Sequence, residues 1–284
     1  MPRTMDAPCT VRDYSAMTRR AWRPPAVLVA IVAHLLVLAD TPPTRAAEIE
    51  PDRPEVTESA RLVPRGAVQL ESGLVFSRER RAGLAAERTF AAEADLRIGV
   101  ARHVELNLGW QPLVRLRGSE NDTGAGDVEL GLRYRFVEGF EDVPWPPHVA
   151  VKVFAKLPVA DEPIGSGRPD FGALLLASFE LPLDLELEVN VGGAALGQAR
   201  GGGYLAQAIA TASLSRDLAP SLLGFLELLF NSRDERAGRE QLAGNVGLVY
   251  RLTRSLAVDA GVQTSLRGRG PDYVVRTGLS VLWR

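Results

Sequence analysis

The residues that could carry out catalysis are few and lie far apart. Two histidines follow the N-terminal apolar region, His103 and His148. A Ser-His-acid hydrolase needs its nucleophile and base within hydrogen-bond reach. No predicted strand face brings a histidine and a serine together in this way. Both histidines are interpreted as solvated turn residues. No catalytic residue is predicted, and the chain is expected not to be an enzyme.

Two further stretches have residue types that could bind an ion or a phosphate. Asp161, Glu162 and Asp170 flank the Gly-Ser-Gly of residues 165–167. Carboxylate oxygens could bind calcium, but the spacing is not that of an EF-hand loop, so a solvated acidic loop is favoured. The three glycines of residues 201–203 follow no strand-to-helix pattern and are interpreted as a flexible tip. No metal site and no cofactor are predicted.

The N-terminus predicts export from the cytoplasm. Arg19, Arg20 and Arg23 precede an apolar stretch at residues 26–38, and a small-residue cleavage site follows, ending at Ala46. This order is typical of a secretory signal peptide. A membrane anchor is the alternative, but the apolar stretch is shorter than the roughly 20 residues that a spanning helix needs. The predicted domains are therefore a removed segment at 1–46, an irregular periplasmic lead-in at 47–65, and residues 66–284.

The composition excludes several classes of protein. The 284 residues have a net charge of −2, with 46% hydrophobic and 24% charged residues, which argues against disorder. No basic stripe is present, so no nucleic-acid partner is expected. No continuous apolar run is long enough for a membrane helix. The single cysteine, Cys9, lies in the segment predicted to be removed, so no disulfide or thiol chemistry is expected.

The positions of polar and apolar residues require extended strands. After residue 65, segments with a period of two residues recur between clusters of Gly, Pro, Asn and Asp. In one of them Val128, Leu130 and Leu132 alternate with Glu129, Gly131 and Arg133. About twelve strands are predicted. They are residues 66–77, 88–100, 103–115, 124–136, 148–157, 169–181, 185–196, 204–216, 222–231, 241–252, 256–265 and 272–283.

The connections between these strands alternate in length. Four are short, and the others are longer and more polar; the long connection at 137–147, where a short turn is expected, is the exception. Outer-membrane barrels have short periplasmic turns and longer external loops. A half-buried sheet in a soluble protein is the alternative, but it gives no reason for this alternation. We therefore predict an all-β fold, an antiparallel transmembrane barrel of about twelve strands in the outer membrane of a Gram-negative cell envelope.

The last strand illustrates both faces of such a barrel. Tyr273, Val275, Leu279, Val281 and Trp283 form an apolar stripe with an aromatic residue near each end. An even number of strands predicts that this strand pairs antiparallel with residues 66–77 and leaves no open edge. Aromatic residues of barrels lie at the membrane interfaces. The predicted interface aromatics are Tyr134, Phe136, Tyr250, Tyr273 and Trp283.

The opposite strand faces supply the predicted functional surface. A charge on the lipid face near mid-membrane costs about 2–4 kcal/mol for Arg or Lys, so the charged face of each strand is expected to point inward. The predicted lumen residues are Glu71, Glu93, Asp95, Arg97, Glu105, Glu129, Arg133, Arg135, Lys152, Lys156, Glu186, Glu188, Asp259 and Arg276. Because both signs are present, these residues either pair across strands in a narrow barrel or line a polar pore, and paired charges beside a narrow passage are favoured.

Two stretches resemble a known family. Residues 124–136 (GAGDVELGLRYRF), and the DRP at 52–54 ahead of VQLESG at 68–73, are similar to the outer-membrane transporters of the phenol-degradation (meta-pathway) β-barrel family. The resemblance extends from about residue 52 to the end and implies a membrane barrel that passes small molecules. Such barrels commonly end on an aromatic residue, whereas Arg284 follows Trp283 here.

The predicted function is a channel or transporter that passes small molecules, aromatic or hydrophobic ones among them, through a narrow charged lumen. The alternative is a structural barrel whose external loops bind partners and which has no through-passage. The expected partners are outer-membrane lipid, the barrel-assembly machinery and a small-molecule solute.

Overall fold

A computed structural model describes residues 48–80, 85–119, 121–140, 143–199 and 201–284. The predicted signal peptide lies outside these residues. Among the described residues, no helix is long and apolar enough to cross a membrane.

The described chain is built from β-strands joined in one sheet. Their alternating apolar and polar residues suit the two faces of a pleated strand. The strands are β1 (Val68–Glu79), β2 (Glu87–Ala101), β3 (Val104–Arg117), β4 (Asp122–Gly124), β5 (Val128–Val137), β6 (His148–Leu157), β7 (Asp170–Leu181), β8 (Leu185–Gly197), β9 (Tyr204–Ala219), β10 (Leu222–Asn231), β11 (Gln241–Thr253), β12 (Leu256–Gly268) and β13 (Tyr273–Trp283).

The sheet closes into a barrel. Each long strand pairs antiparallel with its neighbours, and β13 pairs with β1 from Val68↔Trp283 to Arg78↔Tyr273. The predicted pairing of the last strand with the first is confirmed, as is the barrel of twelve strands. The three-residue β4 extends the edge of β3 and is not a wall strand.

One predicted strand is shorter than expected. Residues 124–136 were expected to form one strand, but β4 ends at Gly124 and β5 begins at Val128. Between them the Gly126 amide donates a hydrogen bond to the Gln111 carbonyl, at 2.7 Å. The prediction of one continuous strand was wrong because this backbone contact draws the chain out of the ladder.

The two ends of the barrel differ. The short connections after β2, β7, β9 and β11 lie at the end where β1 begins and β13 ends. We call this the periplasmic end, and the end with the long connections the external end. The connection between β5 and β6, at residues 138–147, is long although it lies at the periplasmic end.

The outer face is apolar, and the predicted aromatics lie on it near the strand ends. Tyr134, Phe136, Tyr250 and Trp283 are 39%, 52%, 47% and 48% exposed, and all four lie toward the periplasmic end. Tyr273 lies at the external end, where its ring is 6.1 Å from that of Phe76. Apolar and aromatic side chains on this face are suited to contact with lipid.

Candidate functional site: the lumen and the segment docked in it

Residues 48–65, which we call the lumen segment, lie inside the barrel. The sequence predicted an irregular periplasmic lead-in here. The segment is irregular, but Thr57 and Ala60 are fully buried. It enters at the periplasmic end, where the Ile49 amide donates to the Arg254 carbonyl at 2.9 Å. It returns to the same end, where the Gly66 amide donates to the Gly99 carbonyl at 2.7 Å.

Side chains of the wall satisfy the backbone of the lumen segment. The Val56 and Thr57 amides donate to the Glu227 carboxylate, at 2.9 and 2.5 Å. Asn190 accepts from the Glu58 amide at 2.7 Å and donates to the Glu58 carbonyl at 2.8 Å. A buried backbone group without a partner is costly. The wall therefore replaces the water that would otherwise solvate this segment.

Glycines on the inner face make room for the segment. A Cβ atom at Gly278 would lie 2.6 Å from Arg53 Nε, and one at Gly261 would lie 3.1 Å from Pro54 Cγ. A Cβ atom at Gly99 would overlap the carbonyl oxygens of Val63 and Pro64. Because a glycine has no side chain, the segment can approach the wall backbone closely at these positions.

One part of the wall is cationic, and it holds the acidic residues of the segment. Arg133 Nη2 lies 2.7 Å from Asp52 Oδ2 and 2.5 Å from Glu58 Oε2. Lys152 Nζ contacts Glu58 Oε1 at 2.6 Å, and Arg97 Nη1 contacts Asp52 Oδ2 at 3.1 Å. The side chains of Arg97 and Arg133 are 2% and 1% exposed. These charged groups therefore interact with little solvent between them.

Acidic residues elsewhere on the wall hold the basic residues of the segment. Arg53 Nη1 lies 3.2 Å from the Glu93 carboxylate, and Arg53 Nε lies 3.6 Å from Asp259 Oδ2. Arg61 pairs with both Glu180 and Glu186. The segment thus presents acids to the cationic part of the wall and bases to these acidic residues, which fixes its orientation in the lumen.

The pKa values of the segment's carboxyl groups reflect this arrangement. Burial alone would raise the pKa of Asp52, but the Arg133 and Arg97 guanidiniums outweigh it and hold this pKa below its ordinary value. Burial likewise opposes Arg133 and Lys152 at Glu58, whose pKa is also lowered. Burial raises the pKa of Glu55 well above its ordinary value, and the Glu188 carboxylate adds to the effect. The segment therefore contains both stabilised carboxylates and one carboxyl group that favours its protonated form.

The structure brings six of the ten predicted lumen residues from Glu105 to Arg276 into contact with one another or with the lumen segment. Glu105 contacts Arg133 at 3.6 Å, and Lys152 contacts Glu129 at 3.1 Å. Glu186 and Asp259 bind the segment's arginines. These contacts pair opposite charges, as the favoured arrangement requires.

The other four candidates also lie on the inner face but have different partners. Glu188 accepts from Ser178 at 3.3 Å. Lys156 contacts Asp127 and Asp170, each at 2.9 Å, nearer the external end. Arg135 pairs with Glu138 at the periplasmic end. Arg276 donates to the Gln263 side chain at 2.9 Å.

The sequence pattern indicates neither the segment's own charges as lumen residues nor several of their polar partners. Asp52, Arg53, Glu58 and Arg61 were assigned to a periplasmic stretch, and Glu227 lies in a strand whose alternation is weak. The glycines that recur on the charged faces of β1, β2, β12 and β13 were the available signal, because close backbone approach is one reason for glycine within a strand.

Beyond the segment, the inner face includes a set of apolar side chains. In the half of each strand nearer the external end, several inward side chains are buried hydrophobic residues. They are Val75, Ala91, Val114, Leu174, Leu229 and Val274. The external half of the lumen thus has both apolar side chains and the charged cluster of Lys156, Asp127 and Asp170. The segment fills the periplasmic half.

The two histidines lie near the periplasmic end and apart from this network. Partial burial and the nearby Arg135 lower the pKa of His103. The interpretation of His148 as solvated was wrong: it is 6% exposed, and its Nδ1 accepts from the Gly139 amide at 3.1 Å. The inward direction of the first residue of β6 explains this burial. Within the described residues, no cluster of His, Cys, Asp and Glu could hold a metal ion.

Two solved structures of similar fold are an outer-membrane channel and a porin. The COG4313 outer membrane channel from Pseudomonas putida F1 matches with a TM-score of 0.63 and 11% identity, covering 83% of this chain and 100% of that one. The NanC porin matches with a TM-score of 0.51 and 10% identity, covering 75% and 98%. At these identities the likeness shows the fold. The two neighbours are described as a channel and a porin.

The comparison with sequence families assigns the chain more specifically than the likeness of fold does. None of the curated protein sequences matches the chain. Residues 51–283 match the family described as "Putative MetA-pathway of phenol degradation". The match covers the barrel and most of the lumen segment, so the chain belongs to this family.

Proposed function

We propose that this protein is an outer-membrane channel for small molecules and that the lumen segment holds it closed. The observation that carries the proposal is the way in which the segment is bound. It adds no strand to the barrel, and between Ile49 and Val63 polar and charged wall side chains make most of its hydrogen bonds and ion pairs with the wall. Such contacts can exchange with water, and the barrel ladders stay intact when they do.

The apolar side chains in the external half of the lumen, among them Val75, Val114 and Leu229, support small aromatic or hydrophobic molecules as the solutes. Contact with apolar walls favours solutes that have apolar bodies. The charged periplasmic half then forms the barrier, because a solute must displace the segment or move past it. A narrow passage lined by charges is what remains when the segment moves.

One observation favours a second candidate function. Because the lumen segment fills the periplasmic half, the barrel could be a structural one whose external loops bind partners and which has no through-passage. The two functions differ in one respect that can be measured: whether the segment leaves the lumen.

A disulfide that locks the segment tests this difference. A Cβ atom at Gly261 would lie 3.3 Å from Pro54 Cβ, close to the roughly 3.8 Å that a disulfide needs. We expect the P54C/G261C protein to carry no current in planar bilayers when oxidised, and to conduct after reduction. The single variants P54C and G261C, treated in the same way, should not respond to reduction.

The outcomes of this experiment separate the candidates. If the oxidised double variant conducts as well as the reduced one, the segment does not close the channel. If neither form, nor the wild-type protein, shows current or solute uptake, the structural barrel is the better description.

The route to the membrane is part of the proposal. Residues 1–46 would act as a signal peptide, and the barrel-assembly machinery would then insert the strands into lipid. N-terminal sequencing of the protein purified from the outer membrane tests the cleavage site after Ala46.

A further inference from the structure

Three arginines lie side by side on the outer face at the external end. The strand registers pair Arg78 with Arg88 and Arg88 with Arg117, across β1, β2 and β3. We call these three residues the outer arginine row. In-register residues on an antiparallel pair share a face, with Cβ atoms about 4.5–5.5 Å apart. The row faces outward. Arg78 and Leu74 are on the same face of β1, and Leu74, which is paired with Ala92, is exposed.

The charges of this row are not compensated within the described chain. No ion pair among the described residues includes Arg78, Arg88 or Arg117, whereas Arg80 close by pairs with Asp272 at 2.8 Å. Arg117 donates only to backbone carbonyls, those of Leu116 and Asp122, at 2.8 and 3.4 Å. Arg78 Nε is buried without a hydrogen-bond partner. Like charges directly opposite one another destabilise a sheet, so the arrangement favours binding of an anion.

Most residues beneath the row are suited to hydrocarbon. Phe76 and Phe90 are paired in register, one outward step toward mid-membrane, and Arg115, paired with Phe90, adds a fourth arginine beside them. Tyr273 is paired with Arg78 and packs against Phe76, at 6.1 Å between ring centroids. Leu74 and Leu113 continue the apolar face and are 47% and 41% exposed. Cationic groups therefore lie directly above an aromatic and aliphatic surface, at the external limit of the lipid-facing band.

We propose that the outer arginine row binds the phosphorylated headgroup of an outer-leaflet glycolipid, lipid A, whose acyl chains lie along Phe76, Phe90 and the residues below them. Arginine matches phosphate because its planar guanidinium can donate two parallel hydrogen bonds. A phosphate with two negative charges offsets the repulsion within the row, and the acyl chains cover the apolar surface. The site lies outside the lumen, so it does not depend on the proposed channel function.

Equilibrium binding of fluorescent lipid A to the folded full-length protein in detergent tests this site. We expect the R78Q/R88Q/R117Q variant to bind bis-phosphorylated lipid A at least about tenfold more weakly than the wild type. Lipid A from which both phosphates have been removed should bind both proteins with the same weak affinity. The matched controls R216Q, on the outer face at the periplasmic end, and R267Q, at the external end of β12, should bind as the wild type does.

A folding measurement and a second variant keep the result unambiguous. Heat-modifiable gel mobility reports whether each variant is folded. If the glutamine variant fails to fold, R78K/R88K/R117K replaces it; it keeps the charge but loses the bidentate geometry, and its affinity should be intermediate.

Other results overturn the proposal. Equal binding of bis-phosphorylated lipid A by the wild type and the folded glutamine variant removes the row from the site. Equal binding of the phosphorylated and phosphate-free lipids by the wild type removes the headgroup from recognition. If an equal concentration of inorganic phosphate fully displaces lipid A, the row binds anions in general and does not recognise the lipid.

Discussion

Arg133 shows how much a single residue contributes to closing the lumen. Its side chain is 1% exposed and contacts Asp52, Glu58 and Glu105. When one partner of a buried ion pair is lost, an uncompensated charge remains, at a cost of about 3–5 kcal/mol. Asp52 and Glu58 therefore cannot leave the wall singly without penalty, and we infer that the lumen segment docks and leaves as one unit.

A glycine on the wall provides a direct test of this docking. In G99A the added methyl group would overlap the carbonyl oxygens of Val63 and Pro64, which are backbone atoms and cannot rotate away. Overpacking of this kind costs about 1–3 kcal/mol, so we expect weaker docking. The measurement is hydrogen–deuterium exchange of residues 48–65 in the folded barrel, which should become faster in G99A.

The control for this variant is a glycine on the same face without a segment above it. A Cβ atom at Gly109 would meet only Glu129 Cβ, at 3.6 Å, which is ordinary contact distance. G109A should therefore exchange as the wild type does. Wild-type exchange in G99A, or equal acceleration in both variants, contradicts the role of Gly99 as a docking position.

The carboxyl group of Glu55 makes docking depend on pH. Burial raises its pKa well above 4.5, and the carboxylates of Glu188, Glu227 and Asp52 raise it further, although Ser213 opposes them. A group whose pKa is raised in the docked state stabilises docking fully below about pH 4.5, and this contribution is lost as the pH rises through the docked value. We expect the open fraction in planar bilayers to increase with pH in the wild type and to increase less in E55Q.

Two features of the pH profile separate Glu55 from the rest of the segment. E48Q changes an exposed carboxylate at the start of the segment and should retain the wild-type profile. Asp52 and Glu58 have lowered pKa values, so their contribution is lost as the pH falls through the docked values, and all variants should open in strong acid. If the profile of E55Q coincides with that of the wild type at every pH above 4.5, Glu55 does not control docking.

At the scale of elements, the strands were predictable and the docked segment was not. Strands such as β6 and β10 were predicted to the residue because alternation and turn residues are local signals. The contact from Thr57 to Glu227 spans 170 residues, and no periodicity in residues 48–65 encodes it. The direction in which Arg133, Lys152 and Glu186 point follows from alternation, but their partners depend on where an irregular segment lies.

The outer arginine row is a second case in which single elements were uninformative. Arg78, Arg88 and Arg117 each occupy an ordinary position near the end of a strand. Only the registers of β1 with β2 and of β2 with β3 bring them side by side. The bulge between β2 and β3, near Ala92 and Ala94, shifts the pairing, so a count along the sequence does not give this juxtaposition.

At the scale of the whole molecule, barrel closure and lumen closure are separate. The ladder between β1 and β13 runs from Val68↔Trp283 to Arg78↔Tyr273 and includes no residue of the lumen segment. The segment can therefore move while every strand keeps both neighbours. The strands of the barrel keep their pairing, and the lumen segment is the part that can change position.

Removal of residues 48–65 behind the signal peptide tests this separation. We expect the shortened barrel to remain heat-modifiable, because its ladders are intact, and to conduct more than the wild type.

The inner face keeps more acidic than basic residues, among them Glu186, Glu188, Glu227 and Asp259, and a lumen lined by one sign of charge concentrates ions of the opposite sign. The open barrel should therefore be cation-selective, as measured by the reversal potential in a salt gradient. E186Q/E188Q in the shortened protein should reduce this selectivity, whereas E138Q, outside the strands, should leave it unchanged. Anion selectivity of the folded, shortened barrel would contradict the prediction that acidic side chains dominate the open lumen.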